Sequence, residues 1–370
     1  MSAPTESYVD PANGNDTTGN GTIGTPWKSV QKALDTVTKS TANGNRINIK
    51  AGTADVLSAT LSFATYGAGG NSAPLILQGY TSAAGDGGIG EIDGGGAVSI
   101  VAGSGNNYTS YVDLKLGNCG AAQVVGVGGT GGTGLIRNCE VYGTSGDGIV
   151  AGNNFQVDGC HVHNVGGIGI KSVNGAVING CYIKNDGTNT MTHGISGAAA
   201  SIRNNIISVS GGTIGILSTG ANISVQNNSI LSVSGTGYGI YGPSGVMCLI
   251  RDNLIDGFSG VGGKAFNISG SGEVNVLRDN AVHNCTARTA KLDPAYDEVF
   301  NVGEETLAGS LFMKSGSDTY ANRLTYFAPA AVGAVQTGGL NGGAKGAVPY
   351  IAAPSSGGAI NRGIMTGGRL

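Results

Sequence analysis

The sequence predicts an all-β chain wound as a right-handed parallel β-helix, a solenoid with a short N-terminal capping helix and an irregular C-terminal segment. Three observations carry that expectation: 69 glycines with only 12% charged residues, a column of small residues recurring at nearly constant spacing, and apolar residues at fixed offsets from it. So much glycine and so little charge over 370 residues exclude a helical bundle, whose helices need Ala, Leu, Glu and Lys. The 40% hydrophobic content lies in short Val/Ile/Leu runs between Gly, Asn and Ser clusters, which suits many short strands joined by tight turns and does not suit disorder.

The N-terminal segment comes first. Thr25 as N-cap and Pro26 at the first helical position precede Trp27, Val30, Leu34 and Val37, an apolar stripe at helical spacing that the Asn43-Gly44 pair closes. A helix over about 26–39 is therefore expected, with Trp27 in the core, capping an end that would otherwise present bare core and unpaired strand edges. Arg46 to Lys50 and Pro74 to Tyr80 read as the strands of the first coils.

The repeat follows. Cys119, Cys139, Cys160 and Cys181 stand 20, 21 and 21 residues apart, and Asn205, Asn228, Asn253 and Asn280 continue the slot at intervals of 24, 23, 25 and 27. Three positions before the slot stand Leu116, Ile136, Val157, Ile178, Ile202, Val225, Ile250 and Leu277; two after it stand Ala121, Val141, Val162, Ile183, Ile207, Ile230, Ile255 and Val282. Both columns are expected to point inward. Pairs such as Arg137-Asn138, Asp158-Gly159 and Arg203-Asn204 mark a sharp bend between two strands, and Gly148-Ile149, Gly169-Ile170, Gly194-Ile195, Gly215-Ile216 and Gly239-Ile240 mark another strand of each coil. No such coil can bury its apolar face alone, so stacking has to make one continuous core. The leucine-dominated consensus of leucine-rich repeats is absent. Eight rungs about 4.8 Å apart make a rod of roughly 40 Å.

The slot cysteines read as a ladder of small buried thiols, because side chains stacked in parallel do not easily adopt the near-perpendicular disulfide torsion and a linear ladder cannot surround zinc. The asparagines that continue it are expected to hydrogen-bond along the stack and satisfy buried turn amides. No metal and no cofactor is expected. The organisation expected is a cap over 1–50, coils over 51–288, a closing segment over 289–337 and a Gly/Ala-rich tail over 338–370 that is either a flexible end or an assembly arm.

YVDPANGND at Tyr8–Asp16, TPWKSVQKAL at Thr25–Leu34 and PLILQGY at Pro74–Tyr80, the last followed by GDGG, resemble the opening of pectate-lyase-like β-helix proteins. VFNVGEETLAGSLFMKSG at Val299–Gly316 and YFAPAAVGAVQTGG at Tyr326–Gly339 resemble the closing segment of β-helix proteins of bacteriophages and environmental bacteria. The resemblance implies the fold; for activity it leaves lyase, hydrolase, tailspike and inert structural protein open.

Chemistry is expected on an outer face, where side chains alternate outward from successive strands. One and three positions after the slot stand Glu140 and Tyr142, His161 and His163, Tyr182 and Lys184. Sugar-acid β-elimination needs a base, a cation for the carboxylate and an acid for the leaving oxygen. His161 or Lys184 suits the base, Tyr182 or Tyr142 the acid and Arg137 the clamp, with His163 beside them. A hydrolase needs two carboxylates, and Glu140 with Asp158 is the nearest pair. The clustered aspartates of calcium-dependent pectate cleavage have no match in this row, and aromatics at 6% are sparse for sugar stacking. On the later rungs the same positions turn aliphatic, with Ile206, Leu231 and Leu254, so a cover from the C-terminal segment or a second protomer is expected. His193 and His283 read as isolated, the Gly126–Gly134 string as turns, and no Ser/His/Asp system is visible.

A formal net charge of −3 gives no electrostatic reason to expect nucleic acid or an anionic membrane as partner, and no apolar stretch is long enough to span a bilayer. Met1 to Asn15 lacks the regions of a secretion signal, so exit in a lysis-released phage particle is one expected route. The expected function is a virion-associated or extracellular structural β-helix, a fibre, spike or capsid-surface protein for attachment or glycan binding. Its partners would be copies of itself (a trimer), other virion proteins, or a cell-surface polysaccharide. The alternative is a polysaccharide lyase or glycoside hydrolase acting on the outer face.

Overall fold

A computed structural model describes residues 3–286 and 298–300, apart from 41–42, 64–73, 102–107, 121–122, 128–132, 187, 199, 221, 234, 243–247, 269–275 and 279. Its strands form three parallel sheets that run along the solenoid, of twelve, ten and seven strands. Each complete coil gives one strand to each sheet; Leu135–Arg137, Glu140–Thr144 and Ile149–Ala151 make one, and Gln156–Asp158, His161–Val165 and Ile168–Ser172 the next. Among the described residues no helix is long and apolar enough to cross a membrane.

The bend between the twelve-stranded and the ten-stranded sheet is built by the residue before the slot. Asp113, Asn138, Gly159, Gly180, Asn204, Asn227 and Asp252 all have φ between 53° and 65° there. Only Gly, Asn and Asp adopt this left-handed conformation at low cost, which is why no other residue type stands in the column. The slot then turns into the core. Ile136, Val157, Ile178, Ile202, Val225 and Ile250 on one sheet and Val141, Val162, Ile183, Ile207, Ile230 and Ile255 on the next are fully buried, as their periodicity predicts. Ile149, Ile170, Ile195, Ile216 and Ile240 stack in register on the seven-stranded sheet.

The asparagine ladder forms as expected. Each side-chain oxygen accepts the backbone N–H of the coil before it: Asn205 from Cys181 at 2.9 Å, Asn228 from Asn205 at 3.0 Å, Asn253 from Asn228 at 2.9 Å and Asn280 from Asn253 at 3.0 Å. The six cysteines are free thiols, and Cys139, Cys160 and Cys181 stack in the slot with their Sγ atoms turned to neighbouring carbonyls.

Cys119 does not belong to that slot. Tyr111 pairs with Ile136 and Leu116 with Val141, so the slot position preceding Cys139 is Leu114. The 20-residue spacing from Cys119 to Cys139 is a coincidence of one longer coil, and the rung that places Leu116 and Cys119 in register with Ile136 and Cys139 is corrected. Cys119 is buried nonetheless, beside Gly94 of an earlier coil.

The cap also starts later than expected. The helix spans Val30–Thr36 with Ser29 as N-cap, its side chain accepting from Lys32 N. Pro26 and Trp27 precede it in extended chain, because Trp27 N donates to Tyr8 O and Asp16 accepts from Lys28 N, Ser29 N and Ser29 Oγ. Thr25 instead bonds Thr22 and Asn20. Trp27 is buried, 5% exposed, as expected. Thr5–Val9 precedes the two expected strands and opens the twelve-stranded sheet, which Glu298–Phe300 closes. The tail over 338–370 and the phage-like motifs beyond 300 lie outside the described residues.

Candidate functional site

Two outward rows run across the ten-stranded sheet, and strand register determines their members. Glu91, Lys115, Glu140, His161, Tyr182 and Ile206 align in one row; Asp93, Gly117, Tyr142, His163, Lys184 and Ser208 align in the other. From Glu91 to Tyr182 the row crosses five strands, roughly 19 Å at about 4.8 Å per strand. Gly117 leaves room for the Tyr142 ring, which an added Cβ would meet at 2.5 Å.

The rings form a continuous stack. Tyr142 and His163 lie 5.9 Å apart between centroids, His163 and His161 4.3 Å, and His161 and Tyr182 5.2 Å, all within 20° of parallel. Faces that pack on one another are withheld from solvent, so the stack offers ring edges, nitrogens and hydroxyls. It is a polar strip and not a stacking platform.

Charges interleave along it. His163 lies between two carboxylates, with Nε2 3.2 Å from Glu140 Oε1 and Nδ1 3.5 Å from Asp186 Oδ1. Lys184 reaches Asp186 at 3.7 Å, Lys115 meets Glu91 at 3.0 Å and lies 5.0 Å from the Tyr142 ring centre, and Tyr142 Oη bonds Glu91 at 3.2 Å. Burial works against charge on His163, but the bonds and charges of Asp186 and Glu140 outweigh it and raise its pKa to about 9. The imidazole therefore keeps its proton at neutral pH. Glu140 is lowered, first by its bond to His163; Asp186, although burial pushes it up, is lowered on balance by His163 and Lys184. Burial raises Tyr142 to about 12.

Several expected roles change. Tyr182 is 1% exposed, so its hydroxyl is not presented to a substrate as an acid. Arg137 and Asp158 sit on the neighbouring sheet across the left-handed bend, where they pair in register with each other. Asp158 accepts from Asn179 at 2.7 Å, so neither the Arg137 clamp nor the Glu140/Asp158 carboxylate pair assembles on this face. Ile206, Leu231 and Leu254, expected to need a cover from the C-terminal segment or a second protomer, are at most 5% exposed within the single chain. His283 is not isolated, since its Nδ1 lies 2.9 Å from the buried Asp256 carboxylate. Asp186, Glu91 and Lys115 were not among the expected site residues. Asp186 lies two residues past Lys184, beyond the strand, and only the turn geometry returns it to His163. Glu91 and Lys115 precede the coils where the 21-residue spacing from Cys139 holds.

A cleft of about 130 Å³ opens beside the rows, lined by Ile89, Asn138, Cys139, Glu140 and His161. It is too small to engulf a sugar, so any ligand lies along the face. A second cleft of about 370 Å³, lined by Thr190–His193 and Gly212–Ile214, carries one titratable group, His193, which burial lowers. Glu140, His161 and His163 each offer a ligand atom within 4.8 Å of the others, an arrangement able to hold a metal ion.

A model of the right-handed β-helix region matches residues 150–304. Comparison with curated protein sequences finds no significant match. The crystal structure of pectate lyase Pel9A is similar at 15% identity and a TM-score of 0.63, over 95% of this chain and 98% of that one. The structure of XylC in complex with xylose is similar at 10% identity and a TM-score of 0.56, over 77% of this chain and 70% of that one. Identities this low speak for the fold alone. With every pairing between the described strands parallel and three sheets along one core, the chain is a right-handed parallel β-helix of the pectate-lyase-like fold.

Proposed function

We propose that this protein binds a polysaccharide along the outer face made by Glu91, Lys115, Glu140, Tyr142, His161 and His163, holds it without cleaving it, and serves attachment outside the cell. The observation that carries the reading is the polar ring stack with interleaved charges, a straight row of donors and acceptors long enough for several sugar units. Cleavage fits less well. Lys115, Lys184 and His163 are each matched by a carboxylate, which leaves none of them uncompensated for the carboxylate of a uronate. A hydrolase needs one carboxyl held protonated, whereas Glu140 and Asp186 are both lowered.

Affinity electrophoresis through gels containing neutral and acidic polysaccharides tests this. At least one polysaccharide is expected to retard the protein. His163→Ala is expected to weaken that retardation by about 1.5–3 kcal/mol, roughly 10- to 100-fold in Kd, the worth of a charged hydrogen bond. No retardation on any gel, or retardation unchanged in His163→Ala, would refute the reading. Release of unsaturated or reducing sugar ends would establish an enzyme instead.

A further inference from the structure

We infer that Glu140, His161 and His163 form a binding site for a divalent transition-metal ion of the zinc class, with Asp186 orienting one ligand. The inference does not depend on the bound polymer being a glycan.

Strand geometry assembles the three ligands. His161 and His163 are two residues apart on one strand, so both project outward, and Glu140 pairs with His161 in register from the coil before. Their ligand atoms lie within 4.8 Å of one another. Glu140 Oε1 and His163 Nε2 are 3.2 Å apart, close to the ~3.3 Å edge of a tetrahedron with bonds of 2.0–2.1 Å. An ion there takes the place of the proton shared by those two atoms.

The surroundings supply what a histidine ligand needs. Nδ1 of His163 faces Asp186 Oδ1 at 3.5 Å, so the carboxylate fixes the ring with Nε2 directed at the ion, the usual arrangement behind ligating histidines. The two rings are 13° from parallel, whereas an ion lies in the plane of each imidazole it binds. His163 is held by carboxylates at both nitrogens, so His161 makes the necessary rotation. Two imidazoles and one carboxylate, with a remaining position open to solvent, suit zinc or another first-row divalent ion. Calcium needs six to eight oxygens, which this set does not offer. The buried thiol ladder is linear and does not compete.

The test is isothermal titration of the full chain, stripped with chelator, with zinc chloride alone, followed by cobalt(II) absorption. One equivalent of zinc is expected to bind, calcium is not, and cobalt should give the intense visible bands of a four- or five-coordinate site. His161→Ala and His163→Ala should each lose more than 100-fold in affinity, Asp186→Asn roughly 10- to 100-fold. His193→Ala, in the other cleft, should bind as the parent does. His163→Gln, which keeps a polar group between the carboxylates, serves if His163→Ala does not fold. Absence of saturable zinc uptake, or uptake undiminished in the His161 and His163 variants, would overturn the site.

Discussion

Replacing Asn228 by alanine is expected to cost the fold about 3–5 kcal/mol, more than any single substitution on the outer face. Its Oδ1 accepts both the backbone N–H and the side-chain amide of Asn205, at 3.0 Å each, and its Nδ2 donates to Ile202 O, Gln226 O and Asn253 Oδ1. Asn228, Asn205, Asn253 and Ile202 are all at 0% exposure, so water cannot take over the bonds among them. Each buried donor or acceptor left alone costs about 1–3 kcal/mol, and the truncation orphans several. Because each asparagine serves the coil before it, the loss falls on the interface between coils, where a solenoid's stability resides. Denaturant unfolding followed by circular dichroism reads the effect as a lower midpoint; a loss under about 1 kcal/mol would show that the ladder is not what holds the coils together.

Gly215→Val is expected to prevent accumulation of folded, soluble protein. A Cβ at Gly215 would stand 2.6 Å from Gly239 O and 2.6 Å from Ile230 Cγ2. Gly148, Gly169, Gly194 and Gly239 repeat the same approach to the carbonyl of the following coil, at 2.6–2.7 Å. The coils are fixed by the sheet ladders on either side and cannot part at one point without breaking register. Even Gly215→Ala should cost about 1–3 kcal/mol by overpacking. Gly24, whose Cβ would meet nothing within 4 Å, is the matched control, and Gly24→Ala should express and melt as the parent does. Soluble Gly215→Val with parental stability would mean that the coils can separate here.

Most of the fold was legible because its determinants are periodic. The inward isoleucines and valines, the left-handed Asn/Asp/Gly column and the Asn ladder each repeat with the coil, so one rung informs the next. Errors arose where periodicity breaks. Cys119 matched the thiol column in spacing but not in register, because the coil before Cys139 is longer than the two 21-residue coils that follow it. The helix start was misplaced because Thr25-Pro26 satisfies the local rule for a cap while Asp16, distant in sequence, holds Lys28 and Ser29. At the site, Glu140, Tyr142, His161, His163 and Lys184 followed from alternation along strands of known register. Asp186 did not, since a turn residue has no period, and the burial of Tyr182 depends on packing that its own strand does not encode. Ile206, Leu231 and Leu254 signalled a stripe in need of cover, and the chain buries them itself; which segment covers an outer face is a matter of tertiary packing that the repeat does not encode.

The claim that the polar ring stack is the ligand face is tested most directly by the imidazole NMR signals of the four histidines, recorded while an oligosaccharide of the retained polysaccharide is added to metal-free protein. His161 and His163 are expected to shift in a saturable manner, while His193, in the second cleft, and His283, paired with Asp256, stay where they are. Shifts confined to His193, or no shift at any of the four at saturating ligand, would contradict it.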